Sequence, residues 1–193
     1  TIALPNGGTF RRGTAFGLGS TSLLPPFVVT GTHTVTLAPN VATTQSAFQV
    51  GLVAGTPLPV DGVVLDLAIA NPGEGARLNF AAIAGENLGF GMKGVALTPA
   101  SAGLASFAVY RPDASLLAAG RCFTDDTECS ANLASLPVSG SYSVIVQPAN
   151  GASGTMRVWM SHDVTGTLTS GTPRSVSLAR PGQNARLGFA GAA

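Results

Sequence analysis

The sequence predicts an all-β chain built from tandem antiparallel β-sandwich repeats of about 109 residues, with partial repeats at both ends. Three observations predict it. First, a phrase recurs: residues 71–84 read NPGEGARLNFAAIA and residues 180–193 read RPGQNARLGFAGAA. Pro72 and Pro181, Arg77 and Arg186, Leu78 and Leu187, and Phe80 and Phe189 all lie 109 residues apart, the length of one small domain. Second, short runs rich in Val, Leu, Thr and Phe alternate with period 2, the pattern of half-buried strands. Third, 25 Gly and 13 Pro punctuate those runs, and no helical stripe of useful length appears.

In chain order, residues 32–37 alternate, with His33, Val35 and Leu37 on one face. Strands are predicted at about 63–70, 76–83, 88–97 and 104–110. In the 140–148 stretch Tyr142, Val144 and Val146 share a face, and further strands are predicted at 154–161, 174–179 and 185–190. Asn71-Pro72-Gly73 and Arg180-Pro181-Gly182 suit tight turns, because Pro fixes φ and Gly accepts φ > 0.

Two further matches fix the repeat frame. Residues 31–39 match 140–148 at offset 109, and residues 2–7 match 109–114 at offset 107. Residues 1–55 are therefore expected to be the C-terminal part of one sandwich, 56–166 a complete sandwich, and 167–193 the opening strands of another. The two ends together lack only a counterpart of residues 85–107. Thr1 is not a start methionine, so the chain is expected to be processed or to be a window on a longer one.

Composition narrows the function. Of the 193 residues 45% are hydrophobic, enough for true cores. Only 10% are charged, against about 25% in a usual globular chain. The net charge is +1, so no nucleic acid or anionic membrane is expected as a partner. No apolar run reaches the roughly 18 residues of a membrane span. Near-zero charge favours self-association.

Candidate sites are few. Cys122 and Cys129 close a short loop between strands; bridged, they imply an oxidising compartment, the alternative being two free thiols. Asp125, Asp126 and Glu128 in that loop offer oxygens to Ca²⁺, or form a plain solvated loop. His162-Asp163 is the sole His–acid pair, but neighbours on a strand point to opposite faces, which disfavours catalysis. His33 is matched by Tyr142, so that slot takes a flat ring. Gly89–Gly94 fits GxGxxG without the helix that dinucleotide binding needs, so a twisted or bulged Gly-rich strand is expected. Trp159 fills a core or, if exposed, stacks on a sugar. Arg77 and Arg186 point outward or pair with a neighbouring domain. No cofactor motif is present.

The frame PGxxARLxFAxxAG, then YxPDAxLL, then LPxSGSYxVxVxP, resembles the bacterial pre-peptidase C-terminal-type β-sandwich. It is carried by Pro72, Gly73, Arg77, Leu78, Phe80, Pro112, Asp113, Leu136, Pro137, Gly140, Tyr142 and Pro148. The likeness is greatest to tandem versions in large secreted and surface proteins, including rearrangement-hotspot-type ones. That resemblance implies a jelly-roll-like, non-catalytic accessory module with no active-site residues to carry over. The expected function is a structural, extracellular repeat module, with an adhesive or carbohydrate-binding module as the alternative. The expected partners are copies of the chain or adjacent repeats, joined head to tail through Val176, Leu178, Leu187 and Phe189.

Overall fold

A computed structural model of the chain describes residues 2–10, 23–24, 27, 29–36 and 54–191. Leu37 lies outside the described residues. Fourteen strands lie among the described residues. Three short ones open the chain: β1 (Ile2–Ala3), β2 (Thr9–Phe10) and β3 (Thr34–Val35). The main body runs through β4 (Thr56–Pro57), β5 (Leu65–Ile69), β6 (Ala76–Ala82), β7 (Leu88–Thr98), β8 (Leu104–Tyr110) and β9 (Leu116–Phe123). It continues through β10 (Cys129–Leu133), β11 (Gly140–Pro148) and β12 (Ser153–His162). Last come β13 (Val164–Thr167) and β14 (Ala185–Gly188).

The main body is a sandwich of two sheets, ordered β10-β7-β12-β5 and β4-β6-β11-β8-β9. Period-2 alternation builds it, since successive side chains leave a strand on opposite faces. Leu78 and Phe80 of β6, Phe107 and Val109 of β8, and Tyr142, Val144 and Val146 of β11 point into the core. Leu88, Phe90 and Met92 of β7 and Met156, Val158 and Met160 of β12 meet them from the other sheet. Phe90 and Phe107 stand 4.9 Å apart across the interface. Such side chains stabilise by roughly 1.5–3 kcal/mol each when fully buried.

On β7 the buried positions shift from 88, 90 and 92 to 95 and 97. Gly94, at φ +62°, makes the shift, and the register with β12 slips at the same place. The Gly-rich run is thus a bulged strand. Tyr142 stacks on Phe80 at 5.3 Å, and its hydroxyl donates to the Val138 carbonyl at 2.6 Å. Its sequence counterpart His33 lies against Phe27 at 4.6 Å. The chain changes sheet at nearly every connection. One of those crossings, from β9 to β10, is bonded by the Cys122–Cys129 disulfide, which ties the edge of one sheet to the edge of the other.

The opening strands reproduce part of the sandwich. Their order β2-β1-β3 matches β9-β8-β11. Ile2 pairs with Val35 and Ala3 with Thr34; Val109 pairs with Val144 and Tyr110 with Ser143. The following turns match bond for bond. Leu4 N–H donates to Gly8 O and Gly7 N–H to Leu4 O, as Arg111 N–H donates to Ser115 O and Ala114 N–H to Arg111 O. Gly31 and Gly140 both take positive φ, and an added Cβ would crowd Pro5 at 2.7 Å and Pro112 at 2.8 Å respectively.

Two expectations are corrected. Residues 174–179 form no strand, so Val176 and Leu178 lie in an exposed segment. The strand expected at 185–190 ends at Gly188, leaving Phe189 outside it and 74% exposed.

Candidate functional site

The most developed surface is the outer face of the four-stranded sheet, where the tail lies. Alternation puts Gly89 and Gly91 of β7 and Trp159 and Ser161 of β12 on that face, and Trp159 is the direct cross-strand partner of Gly91. A Cβ on Gly91 would overlap the Trp159 ring, so the glycine makes room for the indole. Lys93 Nζ stands 5.7 Å from the ring centroid.

The tail covers this floor. Arg180-Pro181-Gly182 makes a turn, with Gly182 at φ +78° and Gln183 N–H donating to Arg180 O at 3.1 Å. Trp159 Nε1–H donates to Pro181 O at 2.9 Å, and the indole is 1% exposed. A Cβ on Gly89 would overlap the Gly182 carbonyl, and one on Gly182 would reach Ser130 Cβ at 2.7 Å and Phe90 O at 2.8 Å. Backbone therefore meets backbone, which only glycine on both sides allows.

A charged clasp follows the turn. The Asp163 carboxylate, 1% exposed, accepts from Arg186 Nε at 2.7 Å and from the Asn184 amide N–H at 3.2 Å. Arg186 also reaches Asn132 Oδ1 at 3.4 Å, and Gln183 Nε2–H donates to His162 O at 2.9 Å. Beyond the clasp, β14 pairs parallel with β13. The Leu168 N–H to Gly188 O bond in that pair has a counterpart in Leu58 N–H to Asn79 O where β4 meets β6, both 2.8 Å. The segment between, residues 168–180, is exposed throughout.

The first copy of the phrase sits against the N-terminal region. Arg77 donates to the Leu24 carbonyl, and burial lowers the pKa of its guanidinium. Leu24 occupies the repeat position of Leu133, next to the Asn132 that Arg186 reaches. Both repeat arginines thus reach adjacent repeat positions in the chain that precedes them. Beside Leu23 a cavity of about 450 Å³ opens on the outer face of β8, β9 and β11, lined by Tyr110, Arg121, Ile145 and Gln147.

Other expected residues fall elsewhere. His162 is exposed while Asp163 is buried under the tail, so the two do not act together. Asp125, Asp126 and Glu128 are all exposed. Asp126 accepts from the Phe123 N–H at 2.7 Å, closing its own turn. Among the described residues, the grouping of potential metal ligands joins Asp126 to Cys122 and Cys129, whose sulfurs are spent in the disulfide. The sequence reading missed Asp163 as the clasp for Arg186; a lone acid ahead of the second copy of the phrase and an arginine recurring in that copy were the available signal. No helix among the described residues is long and apolar enough to cross a membrane.

No protein-family model matches the chain, and no curated protein sequence matches it. Solved structures do resemble it. The pre-peptidase C-terminal domain of a collagenase from Bacillus anthracis is 11% identical, with 57% of this chain and 99% of that one covered and a TM-score of 0.44. CorA, a surface-associated copper-binding protein of Methylomicrobium album BG8, is 9% identical, with 57% and 98% covered and a TM-score of 0.41. PliG, a periplasmic inhibitor of g-type lysozyme from Aeromonas hydrophila, is 18% identical, with 55% and 95% covered and a TM-score of 0.37. The domain type that the sequence motifs resemble is among these structures.

Proposed function

We propose that the chain is a non-catalytic structural module of an extracellular repeat array, and that its work is end-to-end contact. The observation that carries this reading is the duplicated pairing: Ile2 with Val35 as Val109 with Val144, together with the matched turn bonds. It supports residues 1–55, 56–166 and 167–193 as back part, whole and opening of successive sandwiches. The disulfide supports a secreted or cell-surface setting, where such bonds persist. Trp159, the aromatic that an adhesive or carbohydrate-binding role would use, is covered and hydrogen-bonded.

The same frame supplies a register for the contact. In the whole sandwich β6 is flanked by β4 and β11. Its counterpart β14 pairs, among the described residues, with β13 alone. The counterpart of β11 is β3, whose Val35 is 44% exposed. Adding β3 of one copy to β14 of the next sets Val35 opposite Leu187 and Thr34 opposite Gly188. The order β13-β14-β3-β1-β2 then matches β4-β6-β11-β8-β9. Such a contact joins different surfaces, so it propagates into a filament unless rotation closes it. Opposed residues of antiparallel strands lie about 4.5–5.5 Å apart, within disulfide reach. A chain carrying both Val35→Cys and Leu187→Cys is expected to give a reductant-sensitive ladder of multimers on a non-reducing gel. Monomer alone after oxidation would remove the head-to-tail reading.

A further inference from the structure

We propose that the outer face of β7, β10 and β12 is a peptide-recognition site. Its ligand is a Pro-Gly turn followed, five residues after the proline, by an arginine. The proposal rests on the repeat reading, because that pattern is the opening of a repeat; in this chain the tail fills the site in cis.

Each element of the pattern is read by a separate feature. The Trp159 indole N–H takes the proline carbonyl at 2.9 Å. Gly89 leaves no side chain where the Gly182 carbonyl lies, so the turn's backbone reaches the sheet. Gly182 is required in return, both by its φ of +78° and by the closeness of Ser130 and Phe90. The buried Asp163 carboxylate takes the arginine at 2.7 Å. A desolvated carboxylate with one guanidinium partner discriminates strongly, since losing the partner leaves a buried charge unpaired. The backbone of the ligand is also read, with Val164 N–H donating to Asn184 O at 2.8 Å and β13 pairing with β14.

The tether takes no part in this recognition. Residues 169–179 are exposed, and their bonds are local: Thr172 N–H to Thr169 O, Arg174 to Thr167 O and Thr165 O, and Ala179 N–H to Gln183 Oε1. Recognition therefore resides in residues 180–188, and the same segment on a separate molecule fits the same seat. Tethering raises the local concentration to about the millimolar range, so the cis tail wins unless it is disabled.

The test uses the full chain with Gly182→Ala and Arg186→Gln, which disable the tail and leave the site intact. The emission of Trp159, the only tryptophan, is expected to shift red as its cover lifts. A synthetic peptide of residues 178–190 is expected to restore the blue emission saturably at up to a few millimolar. The same peptide with Arg186→Gln is expected to bind about tenfold or more weakly. If the double substitution unfolds the chain, judged by circular dichroism, Gly182→Ala alone lifts the turn from Trp159 with Asp163 unchanged and gives the same readings. Unshifted emission, failure of the natural peptide to restore it, or equal restoration by the Gln-bearing peptide overturns the proposal. These readings report whether the seat on Trp159 is covered, whatever the state of association. The cysteine ladder reads strand pairing between copies, so the two ideas fail separately.

Discussion

Asp113 accepts the Ser115 hydroxyl at 2.6 Å and the Ser115 amide at 2.9 Å. These bonds, the hydroxyl's first, hold its carboxyl below the usual range. A carboxylate whose folded pKa is depressed contributes stability above its unfolded pKa, about 3.9, and loses it as pH falls through the folded value. In the matching turn Asn6 takes the same role, its Oδ1 accepting from Gly8 N–H at 3.1 Å, with nothing to titrate. The Ser115 amide resonance is therefore expected to move below about pH 4 while that of Gly8 stays still. Co-titration of both would contradict the assignment. The Pro-Asp-Ala and Pro-Asn-Gly turns were legible as equivalents in the sequence. The Gly91–Trp159 seat was not, because those residues are far apart in the chain and meet only through strand register.

Among the elements, β6 and β8 were legible because one face is buried and the alternation is clean, and β11 because its apolar residues sit between turn signals, though residues 142–146 are buried on both faces. Strands β9 and β10 were not, because LLAAGRCF and CSANL mix small and polar residues at sheet edges. The opposite error fell at 174–179. RSVSLA alternates well, but its repeat counterpart β5 exists by pairing with β12, and no described strand offers that ladder to the tail. The two edges that sequence left obscure are the two the disulfide joins, which gives the bond its structural value. Its loop is short, so chain-entropy reasoning gives it about 2–3 kcal/mol. Replacing Cys122 and Cys129 by Ala, or reducing the native bond, is expected to lower the urea midpoint by a matching amount. An unchanged midpoint would show that the edges hold without it.

For the whole molecule, the large buried cluster among the described residues lies in the sandwich, and the N-terminal strands described are each two residues long. Two- and three-stranded pieces without a covered face are marginal in water. A fragment of residues 56–166 is therefore expected to unfold cooperatively, at a lower midpoint than residues 54–191, because removing the tail uncovers Trp159. A fragment of residues 1–55 is expected to show no cooperative transition, and one that did would contradict the repeat boundaries.

The parallel pairing of β13 with β14 has a mechanical meaning. Tension that draws β14 onward while β12 holds β13 back pulls two parallel neighbours past each other along their length. That is shear: the ladder bonds and the Arg186–Asp163 clasp share the load instead of opening one by one. Residues 168–184, the connection between the two strands, are slack except where the turn is pinned to β12 by the Trp159–Pro181 and Gln183–His162 bonds. When the joint yields, that slack pays out roughly 60 Å at about 3.5 Å per residue. On the repeat reading, each joint in a string of such modules is a fuse with its own reserve of length.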